Sequence, residues 1–451
     1  MHSWQLSVDE LAEAFRTGGL SPLVVLEQLL ERIARLDAAI GAFTFLHEGS
    51  AREAAASSFE RLAAGQPLSR LDGIPVGIKE IFDVAGWPST GGSLAFADRI
   101  AQEDSGLVRR LRSAGAVIVG LTRSHELALG ITTQHETRGS TRNPWNLSRI
   151  PGGSSGGSGA AVAAGMVPLA VASDTSGSVR IPAAFCGVCG IRPTHGLLPL
   201  DGVVPLAPSY DAAGFIAREV GDLVIALDAV GDDSASTEGF EVPASLEGRT
   251  IGVSREPSLP LHPAVAAGLE EASRFLTERG AELVEIDLPS NSLLDQASLA
   301  QIVEMVATHT TTLGTWPERQ ALLGEAMRER LGMMVGLGLE LDAGEAALEQ
   351  VRAEVAALRV DCFLAPTSNR PPSTTAEPEP DSFLYEVLRS SHLQAFVGAP
   401  AVSVPAGLDD DGLPVGVQVW AHPGGDAVVL GVAAHLRDGL RSRLPSGPPL
   451  Q

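Results

Sequence analysis

The chain has 451 residues, enough for one large α/β domain or for two or three smaller ones. Its 55 acidic residues outnumber its 32 basic ones, and the formal charge of −23 repels nucleic-acid phosphates and anionic membrane surfaces. Neither nucleic acid nor a membrane is therefore expected as a partner. Three cysteines cannot form a disulfide framework, and the N-terminus has no secretory pattern, so the expected compartment is a reducing cytoplasm.

The first 70 residues are predicted to form a helical flank of the core. Ser7 followed by Glu10 is a capping box that begins one helix. Ser21-Pro22 begins a second helix, which carries an apolar stripe. A third helical stretch is expected over 51–64.

A β-α-β pattern follows, which is typical of a sheet with parallel strands. It consists of a strand at 75–79, a helix at 105–113 and a strand at 116–120. The small-residue segment 157–165 is predicted to be a helix packed against the sheet, and 169–172 a strand. The serines after that strand therefore lie at its carboxyl end, where open α/β sheets usually place their chemistry.

The second half begins with a helix at 220–230 and a polar connector at 231–248. A strand at 250–254, a helix at 263–280 and a strand at 281–288 then form another β-α-β unit.

The stretch 292–358 is mostly helical and is expected to form a wall or lid over a cleft. A buried strand is predicted at 361–366, and a hairpin is predicted from 401–405 and 413–420. The last predicted helix covers 426–440.

Lys79, in GIPVGIKE, is the only lysine in the chain. Arginine keeps its proton at any accessible pH, whereas a lysine buried among apolar neighbours can lose its proton and act as a base. Ile74, Val76 and Ile78 indicate such burial. On position alone, a surface lysine in a strand is an equal alternative.

Two serine clusters, Ser154/Ser155 and Ser176/Ser178, lie among glycines that allow backbone amides to approach a ligand. The first cluster satisfies G-x-S-x-G, the motif of Ser-His-Asp hydrolases, with His195 as the nearest histidine after it. The residues before it predict a loop rather than the strand that this motif requires, so the match is weak. A phosphate-binding loop is disfavoured because no lysine follows these glycines.

Cys186 and Cys189 have the spacing of a metal or redox pair, but no further ligands cluster near them. They are interpreted as buried structural cysteines, and no metal site is predicted. A neutral lysine, in contrast, can take the proton of a serine directly or through a second hydroxyl. The glycines around Ser176 and Ser178 leave backbone N–H groups to hold an oxyanion. This chemistry needs no cofactor.

The chain resembles the amidase signature serine hydrolases over nearly its whole length. The matching motifs are GIPVGIKEIFDV, SRIPGGSSGGSGAAVAAGMVPLA, DTSGSVRIPAAFCGVCGIRPTHG, DCFLAPT, and GAPAVSVPAG followed by DGLPVGVQVW. The resemblance implies an α/β fold in which a large mixed β-sheet is covered by helices on both sides. It also implies a single domain over 1–451, with the catalytic core at 71–230.

The family's triad is a lysine, a serine held in a cis peptide and a nucleophilic serine. The resemblance assigns these roles to Lys79, Ser154 and Ser178, and the two serines lie 24 positions apart as the family requires. It makes Ser155 a supporting hydrogen-bond donor.

The resemblance also implies the surroundings of this triad. The residues whose N–H groups would hold the oxyanion are Thr175, Ser176, Gly177 and Ser178. Asp174 and Arg180 would form a supporting ion pair, which is equally compatible with a purely structural role. The residues expected to bind substrate are Leu127, Gly130 and Ile131.

The implied activity is hydrolysis of small or hydrophobic amides, aryl amides included, through an acyl-enzyme on Ser178, with esters and carbamates as further substrates. A monomer or homodimer is expected. Ile181 stands where glutamine-using amidotransferase subunits usually have glutamine, and Ser176 replaces a common glycine. Two alternatives remain open: the A-type catalytic subunit of a glutamine-dependent tRNA amidotransferase, and a non-catalytic docking module on the same fold.

Overall fold

The computed structural model describes residues 2–231, 242–243, 245–254, 259–376, 386–444 and 447–448. Within them, eleven strands form one sheet. The strands are β1 (Phe43–Leu46), β2 (Pro75–Lys79), β3 (Val117–Thr122), β4 (Leu169–Asp174), β5 (Cys189–Arg192), β6 (Ala212–Ala217), β7 (Thr250–Ser254), β8 (Glu282–Ile286), β9 (Cys362–Pro366), β10 (Ala401–Leu408) and β11 (Pro414–Trp420).

Helices connect most of these strands. They are α1 (Val8–Arg16), α2 (Pro22–Ile40), α3 (Glu48–Ala63), α4 (Gly106–Ser113), α5 (Gly156–Ala163), α6 (Arg180–Cys186), α7 (Val220–Val230), α8 (Pro263–Glu278), α9 (Asn291–Ala307), α10 (Glu325–Gly336), α11 (Glu345–Ala357), α12 (His392–Phe396) and α13 (Asp426–Leu440).

The strand order across the sheet is β1-β3-β2-β4-β6-β5-β10-β11-β9-β7-β8. β2 runs parallel to β3 and β4, and β7 runs parallel to β8 and β9. The other neighbouring pairs are antiparallel. The sheet is therefore mixed, as the resemblance implied.

Two apolar cores lie on opposite faces of this sheet because successive side chains of a strand point to opposite sides. On β4, Leu169 and Val171 pack with residues of α1, α4 and α7. Ala170 and Ala172 pack on the other face with residues of α2, α3 and α5. Helices thus cover both faces, which confirms the predicted α/β/α arrangement.

The first turn of helix α5 lies close to the backbone that follows β3 and precedes β1, because its first two residues are glycines. A Cβ on Gly157 would lie 2.4 Å from the backbone N of Arg123 and 2.5 Å from the backbone O of Ala42. Only glycine permits this approach. The small-residue segment therefore brings the serines just before α5 against the strand ends.

Several predicted elements agree closely with the structure. The Ser7 hydroxyl accepts a hydrogen bond from the Glu10 N–H and the Glu10 carboxylate accepts one from the Ser7 N–H, which confirms the capping box. The hairpin of β10 and β11 is also confirmed.

Strands β1, β5 and β6 and helix α6 were not predicted. β5 and β6 consist of CGIR and AAGFIA, in which small residues predominate and β-branched residues are few, so neither segment stands out as a strand. Most of the predicted connector at 231–248 lies outside the described residues, and the division of the chain into flank, core, connector and wall stays a prediction.

Cys186, Cys189 and Cys362 are buried as free thiols, and burial raises the pKa of each. Among the helices in the described part of the chain, none combines the length and apolar character that crossing a membrane requires.

Candidate active site

Lys79 is the last residue of β2, between the neighbouring strands β3 and β4. Its side chain is fully buried. Nζ donates hydrogen bonds to Ser154 Oγ at 2.7 Å and to Ser173 Oγ at 2.8 Å. The alternative of a surface lysine is therefore wrong.

Burial lowers the pKa of Lys79 to about 7, because a charged ammonium loses its hydration inside the protein. The carboxylates of Asp211, Asp174 and Glu80 oppose this shift by stabilising the positive charge. A substantial fraction of Lys79 is consequently neutral near pH 7, and a neutral amine has a lone pair that can accept a proton.

The single lysine makes this pKa directly measurable. We expect protein grown with ¹³Cε-lysine to show one lysine side-chain NMR signal that titrates with a midpoint near pH 7. The Lys79→Arg variant, which should lack the signal, is the control for its assignment. A midpoint near the ordinary lysine value of about 10.4 would contradict the effect of burial.

Ser154 and Ser155 lie in the loop that leads into α5, and the Gly153–Ser154 peptide bond is cis. Ser155 Oγ donates to the Ser173 carbonyl at 3.2 Å and accepts from the Ser173 N–H at 3.3 Å. Ser155 thereby holds Ser173, which in turn accepts a hydrogen bond from Lys79. Ser173 was not predicted from the sequence, although its place near the end of a strand beside the strand of Lys79 could have indicated it.

Ser178 lies in the loop between β4 and α6, and its carbonyl accepts a hydrogen bond from the Ser155 N–H at 3.3 Å. The two serine clusters therefore meet at the carboxyl ends of β2 and β4. Ser176 and Ser178 face a cavity together with Thr175. The structure thus brings Lys79 and both serine clusters into one site.

Asp174 and Arg180 form a fully buried ion pair. Arg180 Nε donates to Asp174 Oδ2 at 3.0 Å, and a terminal guanidinium nitrogen donates to Oδ1 at 2.9 Å. Burial acts to raise the pKa of Asp174, but the charge and hydrogen bonds of Arg180 hold it well below its usual range. The carboxylate therefore stays ionised and organises the loop that follows it.

The predicted role of Gly177 needs correction. Its N–H donates to Asp174 Oδ1 at 2.7 Å and is therefore already used inside the loop. Gly177 has a φ of 130°, and a Cβ there would lie 2.4 Å from Ser391 Oγ. Glycine is required for this backbone conformation and close approach, and its N–H is not available to an oxyanion.

The cavity in front of Ser178 has a volume of about 300 Å³ and is mainly apolar. The apolar side chains that line it are Ala128, Leu129, Ile131, Leu206, Ile302, Met305, Met334 and Leu388. No lysine or arginine is among the lining residues in the described ranges. Burial lowers the pKa of His392, a further lining residue, to about 3, so this imidazole is neutral.

Gly130 and Ile131 line the cavity, whereas Leu127 does not. Leu127 is fully buried, and its N–H donates to the Gly91 carbonyl at 2.8 Å. Positive φ angles of 49° at Leu127 and 62° at Ala128 turn the chain, so that residues from Ala128 onward face the cavity instead. The prediction that Leu127 binds substrate is therefore wrong.

Helices α9 and α10 form one side of the cavity through Ile302, Met305 and Met334. α9 also contributes Gln301, which was not predicted from the sequence. The only sequence indication was a polar residue within a stretch whose neighbours are largely apolar.

The alternative groups considered from the sequence do not join the site. The ring of His195 lies 3.0 Å from the backbone O of Asp211 and is held there rather than by a serine. In the described part of the chain, no three His, Cys, Asp or Glu side chains are placed to hold a metal ion.

Comparison with known proteins identifies the family. A model of the Amidase family matches residues 24–430. The A subunit of glutamyl-tRNA(Gln) amidotransferase from Symbiobacterium thermophilum is 35% identical over 471 residues, covering 95% of each chain. Its counterpart from Thermus thermophilus is 35% identical over 460 residues, covering 94% of this chain and 95% of the relative.

Among solved structures, a bacterial aryl acylamidase of the amidase signature family superposes with a TM-score of 0.85 at 27% identity, covering 99% of this chain and 99% of the other. The sequence match and the superposition both extend over nearly the whole molecule. The chain therefore belongs to the amidase signature family, and it is an amidase.

Proposed function

We propose that the protein is an amidohydrolase that cleaves small or hydrophobic amides, aryl amides included, through an acyl-enzyme on Ser178. One observation carries this proposal: a buried lysine with a pKa of about 7 donates to Ser154 at 2.7 Å, beside a serine that faces an apolar cavity. These are the parts that activation of a serine hydroxyl requires.

In the proposed acylation step, neutral Lys79 accepts the proton of Ser154 while Ser154 accepts the proton of Ser178. Lys79 still donates to Ser173 Oγ, which directs its lone pair toward Ser154. Ser178 Oγ then bonds to the substrate carbonyl carbon, and the carbonyl electron pair moves to the oxygen. The N–H groups of Thr175, Ser176 and Ser178 are our candidates for holding this oxyanion.

Collapse of the tetrahedral intermediate breaks the C–N bond. The proton on Lys79 returns through Ser154 to the leaving nitrogen, which departs as an amine. A water molecule then attacks the acyl-enzyme, gives its proton to the same relay, and Ser178 leaves with a proton. Esters and carbamates are proposed as further substrates because attack of Ser178 on their carbonyl carbon also gives a covalent acyl- or carbamoyl-enzyme.

The apolar cavity leads us to expect that the rate depends on the size of the acyl group. Each buried methylene contributes about 0.8 kcal/mol, so kcat/KM should rise about fourfold per added methylene until the cavity of about 300 Å³ is filled. The measurement is a hydrolysis series of anilides from acetyl to octanoyl, with primary amides, esters and carbamates in parallel. The Ser178→Ala variant is the blank, and a rate independent of acyl size would contradict the proposal.

The A-type subunit of a glutamine-dependent tRNA amidotransferase is the second candidate. The two curated relatives described above carry that name, and such a role would require partner subunits. Against it, Ile181 is fully buried in the same apolar cluster as the cavity-lining Ile131, and the glutamine-using subunits usually have a polar glutamine at this position. The described lining also offers no lysine or arginine for the carboxylate of free glutamine.

A glutaminase assay separates the two candidates. We expect glutamine turnover far below that of the best anilide, and a protein that purifies as a monomer or homodimer. Efficient glutamine hydrolysis together with co-purifying subunits would favour the amidotransferase. A non-catalytic docking role is not proposed, because it gives no reason for a lysine to be buried against Ser154.

A further inference from the structure

A side chain from the cavity wall holds the loop of residues 174–178. Gln301, on α9, accepts a hydrogen bond from Ser176 Oγ at 3.0 Å, and its Nε2 donates to the Thr175 carbonyl at 3.1 Å. Gln301 and Ser176 are both buried, with relative exposures of 3% and 6%. One amide group thus contacts two consecutive residues of this loop.

The orientation of the Gln301 amide follows from its partners. The Thr175 carbonyl can only accept, so it requires the NH₂ group, and the Ser176 hydroxyl then donates to the amide oxygen. The reverse orientation would place two oxygens against each other. Both ends of the amide are therefore engaged, and a side chain without an amide cannot replace them.

Other contacts to the same loop come from elements outside this helix. Ser391 Oγ donates to the Ser176 carbonyl at 2.7 Å, and Thr175 Oγ1 donates to Asp211 at 2.5 Å. Ser391 adjoins the lining residue His392 but reaches only Ser176 in this loop, whereas Gln301 reaches both Thr175 and Ser176. Ile302, the next residue, and Met305, one turn later, both line the cavity.

We propose that Gln301 is a positioning residue that couples the fit of the acyl group against α9 to the alignment of the Thr175 and Ser176 N–H groups. An acyl group that packs against Ile302 and Met305 holds the same turn of helix from which Gln301 reaches the loop. Ser176, which stands in place of a common glycine, supplies the hydroxyl for this contact. The inference rests on the acyl-enzyme function proposed above.

The test uses the rate at which an octyl fluorophosphonate labels the purified full-length protein. This probe places an alkyl chain in the cavity and develops negative charge on its phosphoryl oxygen when Ser178 attacks. Gln301→Leu and Ser176→Ala are each expected to lower the limiting labelling rate about tenfold, the equivalent of one hydrogen bond lost in the transition state. The half-saturating probe concentration should stay within about twofold, because the apolar contacts remain.

The double variant distinguishes a direct link from two independent effects. If Gln301 and Ser176 act as one unit, the double variant should label no more slowly than the slower single variant. Gln350→Leu on the exposed face of α11 is the matched control and should label at the wild-type rate. Should Gln301→Leu fail to fold, Ser176→Ala carries the same comparison, with Ser57→Ala on the surface of α3 as its control.

Each result decides the proposal. Wild-type limiting rates in Gln301→Leu and Ser176→Ala would overturn it while leaving Ser178 as the labelled nucleophile. A raised half-saturating concentration with an unchanged limiting rate would also overturn it, because Gln301 would then only shape the cavity. A wild-type protein that is not labelled at all would instead refute the proposed function, and the positioning role with it.

Discussion

Replacing Ser178 by alanine is expected to abolish covalent labelling by a fluorophosphonate and to lower amide turnover by about 10⁴-fold or more. The alanine has no oxygen to bond to the carbonyl carbon or to phosphorus. The candidate oxyanion N–H groups and Lys79 would remain, but they cannot form an acyl-enzyme. Intact-protein mass spectrometry measures the labelling, and initial rates on the best anilide measure the turnover.

Two controls make the Ser178 result specific. Ser57→Ala removes a hydroxyl on the surface of α3 that donates to the Glu53 carbonyl, so it should label like the wild type. Peptide mapping of the labelled wild-type protein should place the phosphonyl group on Ser178. Labelling that persists in Ser178→Ala would refute the nucleophile assignment.

Replacing Lys79 by arginine is expected to lower turnover by about 10³- to 10⁴-fold while the protein stays folded. Arginine keeps the positive charge but cannot give up its proton at any working pH, so it cannot act as the base for Ser154. Wild-type kcat/KM should rise through about pH 7, since the neutral amine is the reactive form and its fraction increases above the pKa. The residual rate of the arginine variant should lack this rise.

Lys79→Met separates the missing base from the retained charge. Methionine removes both the charge and the proton acceptor while it fills similar space, so it should be as inactive as the arginine variant. Circular dichroism and the thermal unfolding midpoint would show that both variants are folded. An arginine variant with near wild-type turnover would exclude Lys79 as the base.

The elements that were predicted correctly are those with a recognisable local sequence pattern. α1 was recognised from its capping box, and the bounds of β2 and α7 agree with the structure because short apolar runs and helical periodicity are local properties. β2 is as fully buried as β5 and β6, but its Val76 and Ile78 favour a strand, whereas CGIR and AAGFIA are dominated by small residues. Helix α6 has only seven residues and contains Pro182, so no helical pattern was recognisable.

The sequence predicted most of the residues that form the candidate site, but not which hydrogen bonds they make. Lys79 stood out as the only lysine, and the family resemblance singled out Ser154 and Ser178. The use of the Gly177 N–H by Asp174 was not evident, because a string of glycines and serines does not say which N–H groups are already bonded. Similarly, HELALG gave no sign that Leu127 turns into the core.

The amino-acid pattern alone was sufficient for the family, the mixed α/β fold and the set of lysine and serines, because these depend on motifs that are contiguous in the chain. Only the three-dimensional packing shows that burial lowers the pKa of Lys79 and that Ser173 is its second hydrogen-bond partner. The same is true of the contact between Gln301 and Ser176. Gln301 and Ser176 are 125 residues apart, and their hydrogen bond exists because α9 lies against the loop that follows β4. Burial and long-range contacts depend on how helices and strands that are distant in sequence pack together. They therefore cannot be inferred from a short segment of the sequence.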